Sequence, residues 1–372
     1  MINTYTPYLG KEEKKNLLNC IDSTFVSTAG PNIQRFENLF CKIYKFKHSV
    51  AVNSGTSALH IALLSSGVCR NDLVIVPSYT FAATANAITY CGGSPWFFDC
   101  DKNLFLDLKK IEKTFKKKTK FKNGNLIHKS SGQIVRAIVP VQTLGMKINF
   151  DDYEKFAKKY NLKLIFDSAA CHDPRIFDFK KSNKSIFCFS FNGNKTITTG
   201  SGGILATNSK KKMNLASLYS TVGKKKGNYD YEVVGFNYKM TSLQASLGLS
   251  QLKNLDKIFK KKKLIFSYYQ KKLKIKIDHR LLIEKASTNW VFAILLNKSD
   301  IFKKIKKKFN FHKIQIEYFW KPLHNQKPYK KFLKEDLRHS DNVWKNIILL
   351  PSHPNITKNN QDKICNILNK IL

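Results

Sequence analysis

Residues 50–77 read Val-Ala-Val-Asn-Ser-Gly-Thr-Ser-Ala-Leu-His-Ile-Ala-Leu-Leu-Ser-Ser-Gly-Val-Cys-Arg-Asn-Asp-Leu-Val-Ile-Val-Pro. A short apolar run, residues 50–53, meets a turn of small residues, Ser54-Gly55-Thr56. Leu59, Ile61, Ala62 and Leu63 follow at helical spacing, and Leu73 to Pro77 is a second apolar run. Strands that are apolar at every position belong inside a sheet covered on both faces. The stretch therefore predicts a strand–helix–strand unit of a parallel sheet.

The same alternation runs outward in both directions. Upstream, residues 11–22 read as a helix, and Gly30-Pro31 breaks the chain before a second helix over 32–44. Downstream, helices are predicted over 82–90, 107–117 and 151–160, with strands over 94–98, 135–141, 162–166, 186–191 and 203–207. Residues 118–133, rich in Lys and Asn, read as a hairpin insertion. The expected class is α/β, a mostly parallel sheet with helices on both faces, whose ligands gather at the carboxyl ends of the strands. From about residue 248 the pattern changes. Leu252, Leu255, Phe259, Phe266, Tyr269 and Leu273 share one face of a long helix, followed by a strand over 290–296 and a helix over 300–309. The reading is a large domain over 1–250, then a linking helix and a small α/β domain over 251–372.

Composition bounds the function. The 372 residues are 42% hydrophobic and 12% aromatic, enough for a core, so global disorder is excluded. No uncharged apolar run reaches the ~18 residues of a membrane span, and the start, Met1 to Pro7, lacks the pattern of a signal peptide. Eight Cys residues form no CxxC pair, which predicts reduced thiols in a cytoplasmic protein. The net charge is +39, yet only six of the 65 basic residues are Arg. Nucleic-acid sites usually carry Arg for bidentate contacts, and the Lys runs here are scattered from 116–118 to 306–308. Solvated Lys faces that attract anionic substrates are the expected reading, with a polyanion or membrane partner as the alternative.

Three features carry chemistry. Ser54-Gly55-Thr56-Ser57 lies between a strand and a helix start, where free N–H groups suit a phosphate; a capped helix accounts for it equally well. Asp167 ends an apolar strand at the ligand edge, where a carboxylate either holds a protonated heterocycle nitrogen or caps the next turn. Lys195 sits in a polar loop beside Gly200, Gly202 and Gly203, with Ser190 five residues before it. A partly desolvated Lys loses its proton and forms imines. A phosphate cradle, an acid for a pyridinium nitrogen and an imine-forming Lys are what pyridoxal 5'-phosphate requires.

In these features the sequence resembles the DegT/DnrJ/EryC1/StrS sugar aminotransferases over nearly the whole chain. The resemblance includes Phe25 to Pro31 with Arg35-Phe36-Glu37, Val52 to His60, Val76 to Ala87 and the Lys195 loop. It continues in Gly235 to Met240, Lys321-Pro322-Leu323-His324 and Leu350-Pro351-Ser352. It implies the type I, aspartate aminotransferase-like fold, and homodimers with a shared active site. Lys195 would form the imine with the cofactor and Asp167 would pair with the ring nitrogen. Gly55, Thr56 and Ser190 would hold the phosphate, Phe81 would stack on the ring, and Asn237 would reach the phosphate of a second subunit. His172 and His324 stand open between substrate contact and loop structure, while His60 reads as packing. No metal is implied.

The Ser-Phe-Asn-Gly-Asn-Lys form and the hairpin insertion are similar to a subgroup that aminates UDP-linked 4-keto-6-deoxy-N-acetylhexosamines in bacillosamine and legionaminic acid pathways. Glutamate is the expected donor. Two departures bear on the substrate. Ala170 stands where the family usually has Gln, Glu or His, and residues 173–184 lack the usual Gly-rich stretch. Relatives that perform dehydration replace the Lys with His, so Lys195 argues against that chemistry. A PLP-fold protein that has lost catalysis and serves as a binding or regulatory module is the alternative.

Overall fold

The computed structural model describes residues 1–177, 184–225, 229–275, 279–282 and 290–372. Its strands are β1 His48–Val52, β2 Leu73–Pro77, β3 Ser94–Phe98, β4 Thr119–Lys122, β5 Asn125–His128, β6 Val135–Ile138, β7 Lys163–Asp167, β8 Ile186–Ser190, β9 Gly203–Thr207, β10 Arg280–Leu281, β11 Phe292–Leu295 and β12 Ile347–Leu350. Its helices are α1 Lys11–Asp22, α2 Pro31–Tyr44, α3 Gly55–Ser65, α4 Ala82–Tyr90, α5 Leu108–Lys118, α6 Phe150–Lys159, α7 Lys210–Ser220, α8 Ser242–Lys253, α9 Leu255–Lys272, α10 Ser299–Phe311, α11 Arg338–Val343 and α12 Lys358–Asn369.

A seven-stranded sheet runs β1-β9-β8-β7-β6-β2-β3. Neighbours from β8 to β3 are parallel, and β9 is antiparallel to both β8 and β1. Side chains alternate between two cores, as the period of a strand requires. Ala51, Ile75, Phe166 and Phe187 face one core, which α2, α5, α6 and α8 close. Val52, Val74, Ile165 and Cys188 face the other, which α3, α4 and α7 close. Helix α3 is buried on nearly every side, which explains its continuous apolar sequence. The insertion forms the hairpin β4–β5, with Thr119 opposite His128.

A second sheet, β10-β11-β12, is antiparallel and packs on α9, α10 and α12. The chain start joins this unit, because Ile2 donates its N–H to the Lys313 carbonyl at 2.8 Å. One expectation is corrected. The apolar face over 252–273 is carried by two helices, α8 and α9, broken at Asn254. Asn254 Nδ2 donates to buried Glu13 on α1 at 2.9 Å, and Gln251 donates to the same carboxylate at 2.8 Å. The apolar spacing continues through the break, so periodicity alone could not reveal it. Among the described residues no helix is long and apolar enough to cross a membrane. All eight cysteines are free, six of them buried.

Candidate active site

The carboxyl ends of β1, β2, β7 and β8 open into one cleft of about 310 Å³. Ser54, Gly55 and Thr56 form its rim where β1 turns into α3. Ser54 caps that helix by accepting from Ser57 N at 3.0 Å. The N–H groups of Gly55 and Thr56 precede the first intrahelical bond and carry the positive end of the helix dipole. Gly55 is required here, since a Cβ on it would lie 2.7 Å from Ser190 Cβ. Gly203 is needed for the same approach, since its Cβ would meet Ser54 O at 2.4 Å. These contacts bring the Ser190 hydroxyl up to the start of α3, the geometry of a phosphate cradle.

Asp167, at the end of β7, is 5% exposed. Its Oδ2 accepts from Thr84 Oγ1 at 2.7 Å, and its Oδ1 accepts from Ala169 N at 3.1 Å. Burial raises its pKa above the usual carboxylate value, against the lowering pull of those hydrogen bonds and of Lys195. A buried carboxylate at a cleft wall is suited to a cationic N–H partner. Lys195 follows a turn closed by its own N–H to Asn192 O at 2.9 Å. Its Nζ lies over the Trp290 ring, 4.0 Å from the centroid. Burial pushes this amine down to about 8, partly offset by Asp167. It is thus able to give up its proton and act as a nucleophile near neutral pH.

The structure brings Gly55, Thr56, Phe81, Asp167, Ser190 and Lys195 to this one cleft. Phe81 is 58% exposed at its mouth, immediately before α4. Three other candidates lie elsewhere in the chain. His172 sits behind Ser190, its Nε2 donating to the Ser190 carbonyl at 2.8 Å, and burial pushes it down to about 3. A neutral ring fixed in that way orients Ser190 rather than meeting substrate. His324 is buried between Ser78 Oγ at 2.6 Å and Asp341 Oδ1 at 3.1 Å, away from the cleft lining. Asn237 is exposed, and its carbonyl accepts from Asn53 Nδ2 at 3.4 Å. Of the altered loop, residues 178–183 lie outside the described residues, and Asp173 and Arg175 at its start are ion-paired at 2.7 Å. His60 packs against Phe236 with ring centroids 4.7 Å apart, as expected of a packing residue.

Several wall residues escaped the sequence reading. Thr84 holds Asp167. Tyr5 and Trp290 stack with centroids 5.4 Å apart, and Phe319 and Trp320 stack at 4.2 Å. Gln315 and Glu317 line the same wall. Tyr5 reaches it because Thr4 is tied to Gln315, whose Oε1 accepts from Thr4 N at 3.0 Å. No group of His, Cys, Asp and Glu among the described residues is arranged to hold a metal ion.

A desolvated Lys, a buried carboxylate and a Gly-opened helix start around one cleft define a pyridoxal phosphate enzyme of the type I fold. The model of the DegT/DnrJ/EryC1/StrS aminotransferase family matches residues 7–369, and the chain belongs to that family. It is 31% identical over 382 residues to the GDP-perosamine synthase of Caulobacter vibrioides, covering 100% of this chain and 98% of that protein. It is 30% identical to the UDP-4-amino-4,6-dideoxy-N-acetyl-beta-L-altrosamine transaminase of Campylobacter jejuni, covering 93% and 92%. The fold matches Helicobacter pylori PseC, an aminotransferase involved in the biosynthesis of pseudoaminic acid. There the TM-score is 0.83 at 24% identity, covering 99% and 98% of the two chains. The protein is a sugar aminotransferase dependent on pyridoxal phosphate.

The close approach at Gly55 gives a first prediction. Gly55→Ala should fold, because α3 stays capped by Ser54. The added Cβ must push the helix start off Ser190, so pyridoxal phosphate should bind at least about tenfold more weakly, roughly 1.4 kcal/mol. Titration of the apoprotein with the cofactor, read by absorbance, measures this, and unchanged affinity would mean that the phosphate sits elsewhere.

Proposed function

We propose that the protein transfers an amino group from glutamate to the ketone of a nucleotide-linked 4-keto-6-deoxy sugar, a UDP-linked N-acetylhexosamine by its sequence pattern, in surface glycan synthesis. The observation that carries this reading is the meeting of Lys195, Asp167, Gly55, Thr56 and Ser190 in one cleft, beside an aromatic wall able to take a sugar. The likeness to the Campylobacter jejuni transaminase supports the UDP sugar. A GDP-linked sugar is the second reading, favoured by relatives such as the GDP-perosamine synthase. A panel of UDP-, GDP- and dTDP-ketosugars incubated with the pyridoxamine form, read by mass spectrometry, separates the two. Amination of none of them overturns both.

When bound, pyridoxal phosphate supplies an electron-accepting ring that takes up the electron pair left when a C–H bond beside nitrogen breaks. The Gly55 and Thr56 N–H groups and the Ser190 hydroxyl would hold its phosphate. Asp167 holds a proton on the ring nitrogen by charge, and Thr84 fixes the carboxylate for that task. Lys195 would anchor the cofactor. Its amine, when free, would take the proton from the donor's α-carbon and, in the second half-reaction, deliver one to the sugar carbon that carried the ketone. Phe81, exposed at the cleft mouth, would cover one face of the ring.

The active form in this reading is a cytoplasmic homodimer in which Asn237 completes the partner's phosphate site. Its support is the exposure of the segment around Asn237, with Val234 91% and Tyr229 80% exposed in the single chain. Eight free thiols suit a reducing compartment. Mixing inactive Lys195→Ala and Asn237→Asp subunits should restore activity, up to about half per heterodimer, because one of two sites is then intact. Subunit exchange without restored activity would place Asn237 in its own chain's chemistry or in none.

A further inference from the structure

Behind the cleft lies a second buried amine. Lys262, on α9, is 2% exposed and makes no ion pair among the described residues. Its Nζ donates to two main-chain carbonyls, Trp290 O at 2.8 Å and Ser352 O at 3.2 Å. Trp290 is held at three further points. Its N–H donates to Leu144 O at 3.1 Å, its indole Nε1 donates to Asn194 O at 2.6 Å, and its ring stacks on Tyr5. Lys195 Nζ lies over the same ring, 4.0 Å from its centroid. No hydrogen bond to a described residue holds the Lys195 amine.

We propose that Lys262 and Trp290 form a positioning pair, in which Lys262 anchors the Trp290 main chain and the indole face holds the Lys195 amine while it is not bonded to cofactor. The proposal rests on the reading of Lys195 as the imine-forming residue. An indole face attracts an ammonium without a directional acceptor, so it keeps the amine in the cleft yet lets it swing toward carbon. A carboxylate in that place would trap the proton. The titratable groups facing the amine are Asp167 and His172, with Lys262 behind the ring and Tyr5 and Glu317 across the cleft. Burying an amine against carbonyls costs several kcal/mol unless it is hydrogen-bonded, and here its two bonds fix the residue beneath the catalytic amine.

The test uses full-length apoprotein and phosphate-free pyridoxal. Capture is followed by imine absorbance against pH, then trapped with borohydride and mapped. In Trp290→Leu the indole no longer favours the ammonium, so the midpoint of the capture profile should fall by about half to one pH unit. Trp290→Phe should fall part of the way. Lys262→Met should reproduce the shift and Lys262→Arg should restore the wild-type midpoint. Should Lys262→Met not fold, Lys262→Gln, whose shorter amide reaches one carbonyl at most, is expected to shift the midpoint in part. A label on Lys195 with a wild-type midpoint in Trp290→Leu overturns the proposal. A wild-type midpoint in a folded Lys262→Met or Lys262→Gln overturns the anchoring. A label on another lysine overturns the reading of Lys195 instead.

Discussion

Lys195→Ala is expected to lower turnover by about 10³- to 10⁴-fold and leave the fold intact. In the proposed mechanism the amine has two tasks, anchoring the cofactor and moving the proton at the donor's α-carbon, and general acid–base catalysis alone is worth about 10²- to 10⁴-fold. The loss corresponds to roughly 4–5.5 kcal/mol of barrier. Folding should survive because the residue closes a turn through its main chain and points its side chain into the cleft. The variant should melt at or slightly above the wild-type temperature, since a desolvated amine is removed. In the wild type, borohydride should trap the pyridoxyl group on Lys195 alone among 59 lysines. The rate of cofactor capture should rise with pH through a midpoint near 8, where this amine is half neutral, and level off about one unit above it. An ordinary lysine would keep gaining up to about 10.4. Trapping on another lysine, or capture that climbs without a plateau to pH 10, would remove Lys195 from its role.

The parts of this site differed in how legible they were, for physical reasons. Lys195 stood out because it follows an apolar strand, within ten residues of four glycines, and a loop of that kind at a strand's end has few uses. Gly55 and Ser190 were legible as types, but their contact was not, because it depends on β9 inserting between β1 and β8. Thr84 supplies the hydrogen bond that fixes Asp167, yet it lies 83 residues away on α4. Nothing in its neighbourhood, Ala-Ala-Thr-Ala, distinguishes it from helix filler. Trp290 and Tyr5 lie 285 residues apart and meet because the first residues pair with the segment after α10. The strands were readable from continuous burial. The break at Asn254 was not, because a buried Glu13 decides it from α1. His172 and His324 show the converse. Their motifs are chemical in character, but each ring is buried and bonded to a neighbour, His172 to the Ser190 carbonyl and His324 to Ser78 and Asp341.

Asp167→Asn should keep its fold and bind pyridoxal phosphate, yet lose at least about a hundredfold in turnover. An amide can satisfy the local hydrogen bonds. Its oxygen accepts from Ala169 N, and its nitrogen donates to Thr84, whose hydroxyl then turns to Thr80 Oγ1, 3.0 Å away. It cannot supply the negative charge that keeps a ring nitrogen protonated, and the ring's electron-accepting power depends on that proton. Stability should respond in the opposite sense. Burial raises the Asp167 pKa in the apoprotein, so between the ordinary carboxylate value and the raised one the folded state binds more protons than the unfolded chain. Apoprotein stability therefore falls as pH rises through that window. The amide lacks this penalty, and apo Asp167→Asn should melt at or above the wild-type temperature at pH 7. With cofactor bound the order should reverse, since only the carboxylate gains a cationic partner. Melting curves of apo- and holoprotein, with single-turnover rates, check both halves. A variant that keeps more than about a tenth of the wild-type rate has lost less than ~1.4 kcal/mol of barrier stabilisation, and Asp167 would then be a structural cap at the end of its strand rather than the partner of the ring nitrogen.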